Sequence, residues 1–587
     1  MKLKKTTFII SLLPIILSLI IAFIIHAINN QYPDEPERAV KIVGLSLIAL
    51  LIIPVGVYLL WRKKASNPWT LSSIVVCIVC ILLVAVYFFW VSSLIFFPAD
   101  ILIWSESDFV NDILKFRAGY PLYSAQENNE SFFYTPGTQM LTYFIAWLFG
   151  KATYIPIYRI IQVIFTLLAA VVAYLCSGKL IEMSSSKQQF GNSVFWLMTS
   201  LPFLFLIGTN ALTNPFVHNL HNDALAQLVS IIAYFVLLLY AFSRKKFLLV
   251  LMVVLPVVGF LVKQSLIIWS VFYFIHLVIF DRPRSIKRFL IFPLVVSVGI
   301  GTIVGICYML WGEHFIYWAF TSLGKHDVSP LRAFQHILDI WIYLVIGLIG
   351  GIILLRGKCF NLLIGPWLIW LFLILIETYT SGVAWMLNHI GPGSLIAGCW
   401  FWAALVKVWP IVSRLTNRKF LLQNWLKAGI TVAMIFCLFS GLKTIRIPLK
   451  YLPSDAYRYI SEIEREFEGH SAEDILLDAG TWVYLKDGVV MKDRSPCIGE
   501  RGYSETGDFS GFLRRLEAKK YSKILIRDLH SPDFIYDYWL WRKSSGIRQA
   551  LLDNYKEIGQ IKAVARENYQ YNTYLFSEIN ILVPKMD

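Results

Sequence analysis

A chain of 587 residues in which 57% are hydrophobic and only 16% are charged, with a mean hydropathy of +0.62, has too little polar surface to fold as a water-soluble globule, so most of it faces lipid. The net charge of +15 suggests nucleic acid at first, but it is unevenly spread: residues 446–587 hold 21 basic and 22 acidic residues, and residues 1–445 hold 32 and 16. The basic excess therefore lies among apolar segments, where it reports topology, and nucleic-acid binding is excluded as its cause.

The first apolar runs, near 8–28, 39–61 and 71–97, are each long enough to cross a bilayer. The first follows Met1-Lys-Leu-Lys-Lys5 but lacks a small-residue cleavage site and exceeds a signal h-region, so it reads as a retained helix. Cys77-Ile-Val-Cys80 has redox-like spacing, yet it sits inside an apolar run with no second pair and reads as core.

The loop from Pro98 to about Gly150 carries Trp104-Ser-Glu106-Ser-Asp108-Phe-Val, then Gly119-Tyr-Pro-Leu-Tyr123, then Phe133-Tyr134-Thr-Pro-Gly137. From 107 to 118, Phe109, Val110, Ile113, Leu114 and Phe116 recur at helical spacing opposite Asn111, Lys115 and Arg117, which predicts a helix lying in the membrane surface. Residues 136–150 form a second apolar stretch too short to span, expected in the interface as well.

Further runs lie near 156–181, 191–213, 221–243, 289–311, 336–355, 361–381, 391–412 and 425–445. The stretch 247–280 is too long for one span and Lys263 interrupts it, so it reads as two helices with a tight turn there, giving about thirteen spans in all. Lys2 to Lys5, Arg62 to Lys64, Arg244 to Lys246, Arg282 to Arg288, Arg356/Lys358 and Arg414 to Lys419 then fall on one side, the cytoplasmic one. The opposite side receives loops 98–135, 214–220 and 312–335 and the C-terminal tail. On that side His218, His221 and Asp223 have metal-like spacing; the same polar residues would equally serve sugar hydroxyls or cap the next helix at Asn222 or Asp223. Lys325, His326, Arg332 and Asn388-His389 are further polar candidates, and Trp311, Tyr317 and Trp318 read as an interfacial belt.

The tail, residues 446–587, alternates β-like runs (475–478, 523–527, 571–583) with helical patterns (509–520, 545–555), which predicts a small α/β domain without a phosphate-binding glycine loop. The chain thus divides into N-terminal spans (1–97), an outer loop (98–150), the remaining bundle (151–445) and a soluble extracytoplasmic domain (446–587).

An acidic residue at the start of the first outer loop, two surface helices, many spans and a soluble C-terminal domain resemble the GT-C superfamily of integral-membrane glycosyltransferases. The run Ser107-Asp108-Phe109, Gly119-Tyr-Pro-Leu-Tyr123 and Tyr134-Thr-Pro136 is similar to the branch that uses polyprenol-phosphate mannose, with Asp-Phe or Asp-Leu, Gly-x-x-Leu/Pro-Tyr and Tyr-Pro-Pro. Two features depart from it: three spans precede the loop where the family has one, and Thr135-Pro136-Gly137 replaces the double proline. The resemblance implies a polyprenyl-phosphate sugar donor, a glycolipid or polysaccharide acceptor, transfer of a mannose-like hexose outside the cell membrane, and a carboxylate base at Asp108, with Glu106 as its alternative. Without it, Asp108 is only a favourable acid in a first helical turn, worth about 0.3–1 kcal/mol. Tyr134, His218, His221, Asp223, Lys263, Lys325, Arg332 and His389 are then candidate substrate contacts, Lys263 either meeting the lipid phosphate or snorkelling at its turn. A divalent metal at the phosphate stays open. The competing class is a transporter or flippase for a lipid-linked saccharide, against which stand the absence of a repeat of the 104–140 pattern and the scarcity of charges inside spans.

Overall fold

The computed structural model describes residues 12–23, 69–95, 106–123, 134–184, 194–210, 219–281, 286–322, 328–356, 359–383, 389–416, 454–471, 474–477, 482–490, 510–527, 529–530, 546–562 and 578–586. Up to residue 416 they are chiefly helical. The helices are α1 (Leu12–Phe23), α2 (Trp69–Ile95), α3 (Glu106–Arg117), α4 (Gly137–Leu148), α5 (Ile155–Ser184), α6 (Val194–Gly208), α7 (Asp223–Ser243), α8 (Lys246–Val262), α9 (Ile268–Ile275), α10 (Ile286–Ile316), α11 (Pro330–Leu355), α12 (Phe360–Thr380) and α13 (Gly391–Thr416). Among the described residues, six stretches are long and apolar enough to cross a membrane, namely Ile155–Ser184, Asp223–Ser243, Phe289–Thr321, Pro330–Leu355, Phe360–Thr380 and Gly391–Val408. The runs expected at 39–61 and 425–445 lie outside the described residues.

Helix α7 packs against α5, α8, α12 and α13. Lipid supplies no hydrophobic drive between helices, so close approach depends on small residues. Ala169, Ala170 and Ala173 of α5 are fully buried, and Gly350 of α11 lies so near α13 that a Cβ there would stand 2.6 Å from the Trp400 carbonyl carbon.

The break at Lys263 falls where the sequence placed it. Helix α8 stops at Val262, Lys263 is extended (φ −158°, ψ 129°), and a single 3-10 turn, Gln264–Ile267, leads into α9, which folds back beside α8. The last carbonyls of α8 have no intrahelical partners, and the segment after Tyr134 supplies them. Thr135 Oγ1 donates to the Phe260 carbonyl at 2.7 Å and Thr138 Oγ1 to that of Val262 at 3.3 Å. Between them Gly137 comes so close that a Cβ would stand 2.5 Å from the Leu261 carbonyl oxygen. Thr-Pro-Gly in place of the double proline is thus a docking surface for the end of α8.

Helix α3 occupies the predicted span, but its setting differs from a helix lying free in the membrane surface. Its polar flank is enclosed as well as its apolar one: Asn111 and Lys115 are buried with Phe109, Val110, Ile113 and Leu114, whereas Phe116 is exposed. The cause is tertiary, since α15 (Trp482–Leu485) of the C-terminal region packs over α3. Helix α4 leaves Leu141, Phe144, Trp147 and Leu148 exposed. Trp318, read from sequence as part of an aromatic belt, is fully buried.

The C-terminal region is a four-stranded mixed sheet of β1 (Ile475–Leu477), β2 (Lys523–Arg527), β3 (Tyr555–Ile561) and β4 (Ile579–Pro584) in the order β1-β2-β4-β3. Strand β1 runs parallel to β2, and the other pairs are antiparallel; β3 was not anticipated. Strand periodicity of two sorts its faces. Ile524, Ile526 and Leu582 join Phe512, Leu516 and Leu551 of α16 (Ser510–Glu517) and α17 (Ile547–Asn554) in one core. Leu525, Ile579 and Ile581 face the other way, joining Tyr459, Ile460 and Ile463 of α14 (Ser454–Glu466) in the core that is continuous with the helical bundle.

Gly137→Ala should lower the stability of the purified protein by about 1–3 kcal/mol, because its methyl group has no room against backbone. Gly301→Ala, where nothing lies within 4 Å of the added Cβ, should leave the thermal midpoint unchanged or higher. Equal melting of the two variants would contradict the close approach to Leu261.

Candidate active site

Two charged clusters meet at the start of α3. In the first, Glu106 and Arg159 of α5, each 1% exposed, form a two-point pair in which Arg159 Nε donates to Glu106 Oε1 at 2.8 Å and Nη2 to Oε2. The Leu220 backbone N–H donates to the same Oε1 at 2.9 Å, and Arg159 Nη1 donates to the Ile95 carbonyl at 3.2 Å. The pair ties the end of α2, the start of α3 and segment 219–222 together. Both Glu106 oxygens accept charge-assisted bonds, an arrangement suited to a clamp rather than to a proton acceptor.

In the second cluster, Lys263 Nζ donates to Asp223 Oδ1 at 2.6 Å, His221 Nδ1 lies 3.2 Å from Asp223 Oδ2, and Lys263 Nζ meets His389 Nδ1 at 3.3 Å. An ammonium has donors only, so Nδ1 of His389 must be its unprotonated nitrogen. Enclosure first, and the Lys263 charge second, hold the His389 imidazole down at about 3, so it is neutral at ordinary pH. Lys263 also stands 5.3 Å from the centre of the Tyr134 ring. Glu377 of α12 adds a buried carboxyl group within electrostatic reach of Lys263 and accepts from the Gly393 N–H at 2.9 Å.

Between the two clusters along the chain stands Asp108, two residues after Glu106 and next to Phe109. It lies in the first turn of α3 and is buried. The ring of the next residue, Phe109, lies 4.9 Å from His221 and stacks on Tyr134 at 6.2 Å. The Gly-Tyr-Pro-Leu-Tyr motif fixes the other side: Tyr123 Oη donates to the Tyr134 carbonyl at 2.6 Å, and its ring packs on Trp311 and Phe315.

Of the residues singled out from sequence, the structure brings Glu106, Asp108, Tyr134, His221, Asp223, Lys263 and His389 to one place. Arg332 sits in the first turn of α11 and donates to the Gly382 carbonyl at 3.2 Å. His218 and Lys325 lie outside the described residues. Among the described residues, no three His, Cys, Asp or Glu side chains are arranged to hold a metal ion; Asp223 faces Lys263 and His221 instead.

Sequence reasoning missed Arg159, although an arginine inside an apolar run is itself a signal. In the segment whose polar residues the sequence offered for sugar hydroxyls or for capping, Asn219 and Asn222 come forward. Both are buried, and among the described residues neither their amide nitrogens nor their oxygens have hydrogen-bond partners. Asn222 holds the N-cap position of α7 but makes no capping bond. Buried amides are almost always satisfied, so two unsatisfied ones beside an ion cluster are suited to polyhydroxyl recognition.

No family model matches the chain, and no curated protein matches it. Among solved structures it is similar to the archaeal oligosaccharyltransferase AglB from Archaeoglobus fulgidus in complex with an inhibitory peptide and a dolichol-phosphate. That likeness has 9% identity and a TM-score of 0.47, and it covers 89% of this chain and 77% of that one. The apo form of the Archaeoglobus fulgidus oligosaccharyltransferase gives 10% identity, a TM-score of 0.48 and the same coverages. At these values the likeness assigns no activity, and the functional reading rests on the residues above.

Arg159→Met alone leaves Glu106 as a buried unpaired charge and should destabilise the protein by about 3–5 kcal/mol. Combining it with Glu106→Gln should restore much of that loss in thermal melting. A double variant no more stable than Arg159→Met would remove the clamp.

Proposed function

We propose that this chain is a GT-C-type membrane glycosyltransferase. It moves a hexose, mannose-like by its loop motif, from a polyprenyl-phosphate donor to a hydroxyl of a glycolipid or cell-envelope polysaccharide. The carrying observation is the meeting of the Asp108 turn with the Lys263 cluster through Phe109, His221 and Tyr134. The reaction needs both halves within one site: a base for the acceptor and fixed positive charge for the leaving phosphate.

In this reading Asp108 takes the acceptor hydroxyl's proton as the acceptor oxygen bonds to the anomeric carbon. The bond from that carbon to the donor phosphate oxygen breaks, and its electron pair leaves with the phosphate beside Lys263. Asp223 holds Lys263 in place, neutral His389 accepts from it, and Tyr134 closes the same side. Asn219 and Asn222 contact sugar hydroxyls, and Glu106 with Arg159 keeps the Asp108 turn against them. His218, Lys325 and Arg332 remain candidates for the donor side. The alternation of basic clusters supports a cytoplasmic N-terminus and an extracytoplasmic site and tail.

Asp108→Asn keeps the shape and one acceptor oxygen but cannot hold the proton. Sugar transfer, measured with membranes, radiolabelled polyprenyl-phosphate hexoses and a panel of lipid acceptors, should fall about 10²–10⁴-fold, with melting within about 1 kcal/mol of the parent. Transfer at the parent rate would leave the loop a structural element and return the flippase reading to first place.

A further inference from the structure

The contact between His389 and Lys263 depends on where α13 begins, because His389 leads through Ile390 directly into the first turn of that helix. We propose that two side chains of α12, Glu377 and Trp370, are positioning residues that set this start and so hold His389 against Lys263. The consequence for a lipid donor rests on the glycosyltransferase reading; the placement of His389 does not.

The first N–H groups of a helix have no partner within it. In the first turn of α13 the Gly393 N–H donates to Glu377 Oε2 at 2.9 Å, and the Gly393 carbonyl accepts from Trp370 Nε1 at 2.9 Å. Glu377 and Trp370 are seven residues apart on α12, which places them on one face of that helix. One face of α12 thus grips both backbone groups of a single residue, and both gripping side chains are buried. The fit is close on each side. A Cβ at Gly393 would stand 2.5 Å from Glu377 Oε2 and 2.9 Å from the Ile374 Cβ, so the approach needs glycine. The Trp370 indole occupies the space that a side chain at Gly347 of α11 would fill. Turning or sliding the start of α13 would therefore break two hydrogen bonds in an interior where they count for more than in water.

His389 stands four residues before Gly393, and its Nδ1 faces Lys263 Nζ at 3.3 Å. An ammonium has three hydrogens to give. One goes to Asp223 Oδ1 at 2.6 Å and one to His389. These two partners set the direction of the third, which in the glycosyltransferase reading meets the donor phosphate. Glu377 acts here as a hydrogen-bond acceptor, a role that needs no charge, so a glutamine in its place performs it and a leucine does not.

The test is solid-state nitrogen NMR of the full-length, histidine-labelled protein in nanodiscs, with the His389 signals identified by their loss in His389→Gln. In the parent and in Glu377→Gln, Nδ1 should resonate as an unprotonated imidazole nitrogen that accepts a hydrogen bond. In Glu377→Leu and in Trp370→Phe it should move downfield, to the position of a nitrogen with no donor. In the same two variants kcat/KM for a polyprenyl-phosphate hexose should fall roughly tenfold or more, because a misplacement of ~1 Å can cost ~10²-fold, and Glu377→Gln should stay near the parent. Trp370→Phe keeps an aromatic ring in place and carries the test should Glu377→Leu fail to fold. An unmoved Nδ1 signal in the folded variants, or Glu377→Gln as altered as Glu377→Leu, would overturn the positioning role. A moved signal with kcat/KM unchanged would overturn its bearing on the donor. If the signal moves but Asp108→Asn transfers sugar at the parent rate, the enzyme reading fails and the positioning stands. If Asp108→Asn abolishes transfer while the signal stays in place, the positioning fails and the enzyme stands.

Discussion

A lysine ammonium inside an apolar bundle must be paired, and the arrangement of this protein follows from where Lys263 is paired. Stranding such a charge in hydrocarbon costs several kcal/mol, and Asp223 at the head of α7 answers it at 2.6 Å. The pairing requires α8 to end at Val262 and the backbone to extend at Lys263. It also requires the start of α7, the end of α8 and the segment before α13 to converge on one point. The interruption that looks like a flaw in a hydrophobic run is the place where the chain gathers its polar chemistry.

A second buried pair performs the matching task on the loop side. Glu106 and Arg159 are both removed from water, and their two-point geometry, with the Leu220 N–H and the Ile95 carbonyl as additional partners, satisfies charges that would otherwise be destabilising. Buried pairs of this kind contribute more to uniqueness than to net stability when every lone pair is met. Here the uniqueness is positional, since the first turn of α3, with Asp108 in it, has one place to sit relative to segment 219–222.

The C-terminal sheet completes the enclosure. One of its faces is closed by α16 and α17, and the other shares a core with the bundle through α14, while α15 lies over α3. Helix α3 is thereby held between α4 and a folded domain. Asn111, Asp112 and Lys115 become interior residues, in surroundings where directional hydrogen bonds count for more than in water.

The sequence by itself determined the elements whose cause is local or periodic. Long apolar runs, the amphipathic spacing over 107–118, the interruption at Lys263 and the two-residue alternation in 523–527 each follow from single stretches of chain; Asp108, His221 and Asp223 stood out as polar groups at the ends of such stretches, and Tyr134 only through the motif resemblance. Only the tertiary structure decided which charges meet. Arg159 and Glu106 are 53 residues apart in the chain, Lys263 and His389 are 126 apart, and no period links either pair. The sequence left Glu106 and Asp108 as rival bases two positions apart, and nothing in it showed that an arginine from another helix engages both oxygens of Glu106. The enclosure of α3 was equally out of reach, since its polar flank reads as solvent-facing until a domain some 370 residues later covers it. Partner choice is a property of distance in space, and hydrophobic pattern records only which way each residue faces.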